Sequence, residues 1–159
     1  MTDPIERAAR QAHMTDLPSL IARVEAASGP DRELDFDVWR IDGPYVRWDE
    51  HGCAVDFDGD AVAFIDPGQH SRNFYLASDY EDVVPRVTES LDAVVALAER
   101  VKPSWRWAVT NADGPNRWPA QGELWIGDHE YIGKHAYPTL ALLLALLRAV
   151  QAQQNKETT

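Results

Sequence analysis

Asp56, Asp58 and Asp60, spaced two apart with Gly59 inside the run, are the side chains whose spacing comes nearest to a known chemistry, that of calcium binding. A calcium loop of the EF-hand kind needs glycine at its sixth position and a bidentate acid at its twelfth. Counted from Asp56, those positions hold Ala61 and Pro67. The run therefore reads as a hairpin turn with solvated acids. His51-x-Cys53 with His70, or His129 with His135, would be the zinc candidates. Structural zinc sites use close, regularly paired ligands, and one cysteine with scattered histidines does not make such a set.

Cys53 beside His51 is also the candidate for an activated thiol, since alternate residues of a strand share a face. An inert cysteine is the commoner state. Neither a Gly-x-Ser-x-Gly elbow nor a Gly-Lys-Ser/Thr phosphate loop occurs. Asp128, His129 and Glu130 would do acid–base work only in a pocket that the sequence does not indicate. The expectation is a chain with no catalytic residue, no metal and no cofactor.

What the chain has in excess is acid. Residues 31–82 carry fourteen Asp and Glu against Arg32, Arg40, Arg47 and Arg72, a local net charge of −10 out of −11 for all 159 residues. Such a surface repels nucleic acid and anionic membrane and attracts a basic protein. The candidate interaction surface is Asp35, Asp37, Asp49, Glu50, Asp56, Asp58, Asp60 and Asp66, with Trp48 and Trp118 as aromatic anchors among turn residues. A solvated acidic face without a target is the plain alternative. Asp56, Asp58, Asp60 and Asp66 are expected on one exposed, largely unpaired face. Trp105 and Trp107, alternating with Arg106 and Ala108, are expected to pack a strand into the core.

The elements that must position these residues read as follows. Length and a 45 % hydrophobic content fit one domain with a real core, and a single cysteine leaves no disulfide framework. Residues 1–13 read as an optional extension, because Met14-Thr15-Asp16 echoes the opening Met1-Thr2-Asp3 and Asp16 is placed to cap a helix bearing Leu17, Leu20, Ile21 and Val24. A helical extension is the equal alternative, since Ile5, Ala8, Ala9 and Ala12 fall on one helical face. Gly29-Pro30 ends that helix, with glycine in a left-handed turn. Residues 31–41 fit helix or strand, and acids in the first turn favour helix. An acidic, β-rich insertion covers about 42–80, with Asp58-Gly59 as its hairpin signal.

Thr88 is expected to cap a helix running to Val101, which Pro103 stops. Strands follow, and Pro138 opens an apolar helix to about Val150. Its run at 140–147 is far shorter than the roughly 20 residues that span a bilayer, so it reads as a core helix. Residues 14–150 form the domain, and the polar tail 151–159 is expected to fray. The start reads as lacking a signal peptide, and with a single cysteine the expectation is a cytoplasmic protein.

Three segments also resemble a known family. They are Leu17-Pro-Ser-Leu-Ile-Ala-Arg-Val-Glu-Ala-Ala-Ser-Gly-Pro-Asp-Arg-Glu-Leu-Asp35, Val84-Pro-Arg-Val-Thr-Glu-Ser-Leu-Asp-Ala-Val-Val-Ala-Leu97 and Tyr137-Pro-Thr-Leu-Ala-Leu-Leu-Leu-Ala-Leu-Leu-Arg-Ala149. Their order and spacing resemble the small phage and prophage proteins grouped as the phage ABA sandwich domain, over about half the chain. The resemblance implies an α+β or α/β sandwich, a mostly antiparallel sheet with helices packed on its faces, and a phage or prophage setting. It carries no activity and no catalytic residue.

The function expected is that of a non-enzymatic phage accessory protein in the host bacterial cytoplasm. It binds a host protein with a basic surface, as a nucleic-acid mimic or an anti-CRISPR-like inhibitor of a defence complex, with no direct nucleic-acid or membrane partner. Two alternatives stand beside it. One is a nucleotide or metabolite binder with an aromatic pocket around Trp107, Trp118, Trp125 and Tyr131; the other is a hydrolase with an unrecognised site.

Overall fold

The computed structural model describes residues 16–43, 46–66, 73–101, 103–110 and 119–157. The expected extension 1–13, Trp118, His70 and Arg72 lie outside them. Among the described residues the fold is α+β, with four α-helices and two antiparallel sheets. The described residues gather into two compact units, 35–85 and 16–34 with 86–157.

The second unit is built on helices. Helix α1 (Leu17–Ala26) buries Leu17, Leu20, Ile21 and Val24. Asp16 is its N-cap, but its carboxylate accepts the Ser19 hydroxyl and no backbone N–H. The helix ends at Ala26, before Gly29-Pro30, by turning extended at Ala27 (φ −65°, ψ 136°). Gly29 has no positive φ, so the left-handed glycine stop is not used.

Helix α2 (Arg32–Trp39) confirms helix over strand for this segment. Asp31 caps it, its Oδ1 accepting the N–H groups of Glu33 at 2.9 Å and Leu34 at 3.1 Å. Thr88 does not cap a helix. It is buried and clasps Asp31, accepting the Asp31 N–H at 2.8 Å and donating its hydroxyl to the Asp31 carbonyl at 3.2 Å. Helix α3 (Leu91–Val101) starts three residues later, where the Ser90 hydroxyl oxygen accepts the Ala93 N–H at 3.3 Å.

In the same unit, β5 (Arg106–Thr110), β6 (Ala120–Ile126) and β7 (His129–His135) form a three-stranded sheet in that order. Helix α4 (Pro138–Glu157) lies on it, every residue of 140–147 buried between the sheet and helices α1 and α3. Gly122 and Gly133 pair across β6 and β7 and let the helix come down onto the sheet backbone. A Cβ on Gly122 would stand 2.5 Å from the Leu142 Cα, and one on Gly133 would stand 2.7 Å from the Ala145 nitrogen and collide with the Ala141 carbonyl oxygen. Helix α4 runs seven residues past Val150, because Gln151, Ala152, Gln153 and Gln154 are good helix formers; the expected frayed tail is mostly helical.

Leu144 is core, as its spacing predicts, whereas Trp107 is 42 % exposed. Trp107 pairs with Leu124 and so faces the helix side, but β5 is an edge strand, where that face is less fully covered. Alternation had given its face correctly and its burial wrongly.

The first unit is a four-stranded antiparallel meander: β1 (Arg47–Trp48), β2 (Cys53–Val55), β3 (Ala61–Asp66) and β4 (Asn73–Leu76). Its core joins Phe36, Trp39, Val46, Ala54, Val62, Ala63, Leu76 and Val84. The Phe36 ring sits 5.9 Å from those of Trp39 and Trp48 and 5.5 Å from that of Phe74. The acidic segment at 42–80 thus packs on an aromatic core that it shares with α2.

Candidate functional site: two acidic hairpins and an aromatic sheet face

The two turns of the acidic meander repeat one design. In Asp49-Glu-His-Gly-Cys53, the Asp49 Oδ1 accepts the N–H groups of His51 at 2.9 Å and Cys53 at 2.8 Å, and Gly52 takes φ +76°. In Asp56-Phe-Asp-Gly-Asp60, the Asp56 Oδ1 accepts those of Asp58 at 3.0 Å and Asp60 at 2.9 Å, and Gly59 takes φ +89°. Aspartate at the first position folds the chain by accepting its own downstream N–H groups, and glycine supplies the left-handed residue that closes the hairpin. The sequence carries the signal as Asp-x-x-Gly twice, seven residues apart.

This changes the role of two expected surface acids. Backbone bonds to Asp49, from Cys53 foremost, hold its carboxyl below the ordinary value, assisted by the charges of His51 and Arg47. The second oxygen of Asp56 accepts the Tyr80 hydroxyl at 3.2 Å. It is half-buried and engaged, so the four acids expected on one unpaired face do not form such a set. Burial raises the Tyr80 phenol above its ordinary value, and Asp56, Asp60 and Asp79 push it the same way. The bond from Tyr80 to Asp56, with the Ala77 N–H donated to the Val62 carbonyl at 2.8 Å, sets the 3-10 turn Ser78–Tyr80, which carries Asp79, beside the second hairpin. Asp58 and Asp60 are exposed there, with Phe57 at 86 % exposure between Asp56 and Asp58.

The remaining candidates divide. Glu50 and Asp66 are exposed, at the opposite end. Asp35 is only 1 % exposed and is no part of a surface, because α2 turns it inward beside Leu34 and Phe36. Asp37 is half-buried with Arg40 at 3.8 Å; burial lowers the Arg40 pKa and Asp37 opposes that shift. Trp48 is partly buried and packs against the aromatic core, opposite Ala54.

On the outer side of the same sheet, Asp66 is joined by two aromatic residues outside the expected surface. Phe64 and Tyr75 are directly opposed on β3 and β4, 41 % and 53 % exposed, with Cys53 across from Phe64 on β2. Asp66 and Asn73 form the next pair on that face, since they stand two residues along each strand. Period-two alternation through Phe64 and Asp66 was the available signal.

The Cys53 thiol is pushed up by burial and by Asp49, which keeps it protonated and works against a nucleophile. His135 is buried and its Nδ1 accepts the Tyr137 N–H at 3.1 Å, a structural use at the approach to α4. Trp107 and Tyr131 share the helix-facing side of their sheet, each in register with Leu124. Trp125 points to the other side with Arg106 and Glu130, so these aromatics do not line one pocket. Among the described residues, no three His, Cys, Asp or Glu side chains are placed to share a metal ion, and no helix is long and apolar enough to cross a membrane.

No family model matches the chain, and no curated protein or solved structure matches it either.

Proposed function

We propose that this chain is a non-enzymatic binding protein whose acidic meander docks on a basic surface of another protein. The observation that carries this reading is the charge of the outer residues. Asp42, Glu50, Asp58, Asp60, Asp66, Asp79, Glu81 and Asp82 are exposed, and between residues 35 and 85 the described bases are Arg47 and the half-buried Arg40. Hairpins fixed by Asp49 and Asp56 hold part of that charge in place, which favours fast, oriented encounter with a positive partner. The resemblance to phage ABA sandwich proteins supports a phage or prophage setting and a host bacterial cytoplasm. In that setting the target class is a nucleic-acid-binding defence complex, whose basic groove the carboxylates occupy in place of phosphates.

The test is titration against host nucleic-acid-binding proteins at several salt concentrations, using the variant Asp58→Asn, Asp60→Asn, Asp79→Asn, which leaves the turn-forming Asp49 and Asp56 intact. Binding should weaken chiefly through the on-rate, with a flatter salt dependence. Unchanged affinity in the variant, or no binding by the wild type, would return the surface to a solvated face.

A further inference from the structure

The outer face of the meander offers more than charge. Phe64 and Tyr75 are cross-strand neighbours with exposed rings, and Asp66 stands two residues beyond Phe64 on the same face, about 7 Å along the strand. Directly opposed residues hold their Cβ atoms about 5 Å apart, so the two exposed rings rise from adjacent positions on one patch of the sheet. Two neighbouring aromatic side chains with a carboxylate at their margin are complementary to a planar cation. Guanidinium stacks on an aromatic face while its edge N–H groups remain free for a carboxylate; a lysine ammonium is a strongly hydrated point charge that does neither as well. A second copy of this chain is a poor occupant, because two molecules at −11 repel. Nucleic acid is excluded on the same ground.

We infer that the Phe64–Tyr75 face is a docking site for an arginine-bearing segment of a protein partner, selecting arginine over lysine. The inference rests on the protein-binding reading above and sharpens it, since the long-range attraction of the acidic meander acts on charge and draws both cations, whereas ring stacking favours guanidinium. The probes are fluorescein-labelled nona-arginine and nona-lysine peptides, followed by anisotropy at about 150 mM salt. The arginine peptide should bind at least about fivefold more tightly than the lysine peptide, from two exposed cation–π contacts. In Phe64→Leu, Tyr75→Leu, which keeps apolar bulk and removes the rings, that gap should close and the lysine peptide should bind as before. Tyr75→Leu alone serves if the double variant loses its circular dichroism spectrum, and should narrow the gap by half or more on a logarithmic scale. The variant with Asn at 58, 60 and 79 should weaken both peptides by the same factor. Equal affinity of the two peptides for the wild type, or a gap that survives removal of the rings, overturns arginine selection and leaves the acidic reading standing. Binding of neither peptide overturns both.

Discussion

Asp49 and Asp56 each spend a carboxylate oxygen on two backbone N–H groups, so their first role is to shape a turn and their charge comes second. The pH dependence of Asp49 follows in sign from that. Its carboxyl is held below its unfolded value of about 4, so the ionised form stabilises the fold fully above that pH. The contribution is lost as pH falls through the depressed folded value. In Asp49→Asn the side chain keeps an acceptor oxygen and takes up no proton. The stability difference between wild type and variant, from urea midpoints, should therefore shrink between about pH 5 and pH 2. A constant difference across that range would show that the turn gains nothing from the charge. At the second hairpin, Asp56→Ala removes the acceptor for Asp58 N–H, Asp60 N–H and the Tyr80 hydroxyl. It should cost about 1 kcal/mol. Asp58→Ala, which touches only a backbone contribution, should stay within about 0.5 kcal/mol in the same denaturation series. Equal losses for the two would deny Asp56 its special place.

At the level of elements, the joint between α4 and its sheet depends on what Gly122 and Gly133 lack. A methyl group at either position meets backbone atoms of α4, which cannot swing away as the end of a side chain can. Gly122→Ala and Gly133→Ala should each cost roughly 1 to 3 kcal/mol or more as overpacking. Gly29→Ala is the control: nothing lies within 4 Å of its added Cβ and its φ is not positive, so it should be neutral or slightly stabilising. The measurement is the shift of the urea midpoint at unchanged slope; a neutral Gly133→Ala would mean that the helix can lift off the sheet without loss. The amphipathic spacing of α1 and the apolar run of α4 were legible because each is a local pattern that burial then satisfies. Thr88 was not, because its partner Asp31 lies 57 residues away, and a sequence shows only that Thr and Ser are both good caps. Asp35 was misread for a related reason: its acidity says surface, while its place on α2 between Leu34 and Phe36 says interior. Asp-x-x-Gly was legible in principle, and charge counting hid it.

For the molecule as a whole, the distribution of charge sets where stability responds to salt. Nearly all the net negative charge falls within residues 31–82, and the strands between Arg47 and Leu76 must hold together against that self-repulsion. The leucine-rich packing around α4 carries no comparable field. Sodium chloride raised from about 10 mM to about 0.5 M shortens the screening length from about 30 Å to well under 10 Å. The meander should then gain stability while the α4 packing changes little. Hydrogen exchange resolves the two: amides of β2 and β3 should slow with salt, and those of Leu142 to Leu147 should hold their rates. The variant with Asn at 58, 60 and 79 should show a smaller response in β2 and β3, because part of the repulsion has been removed. If salt slowed both sets of amides equally, or if the variant responded as strongly as the wild type, local carboxylate repulsion would not be what limits the stability of this meander.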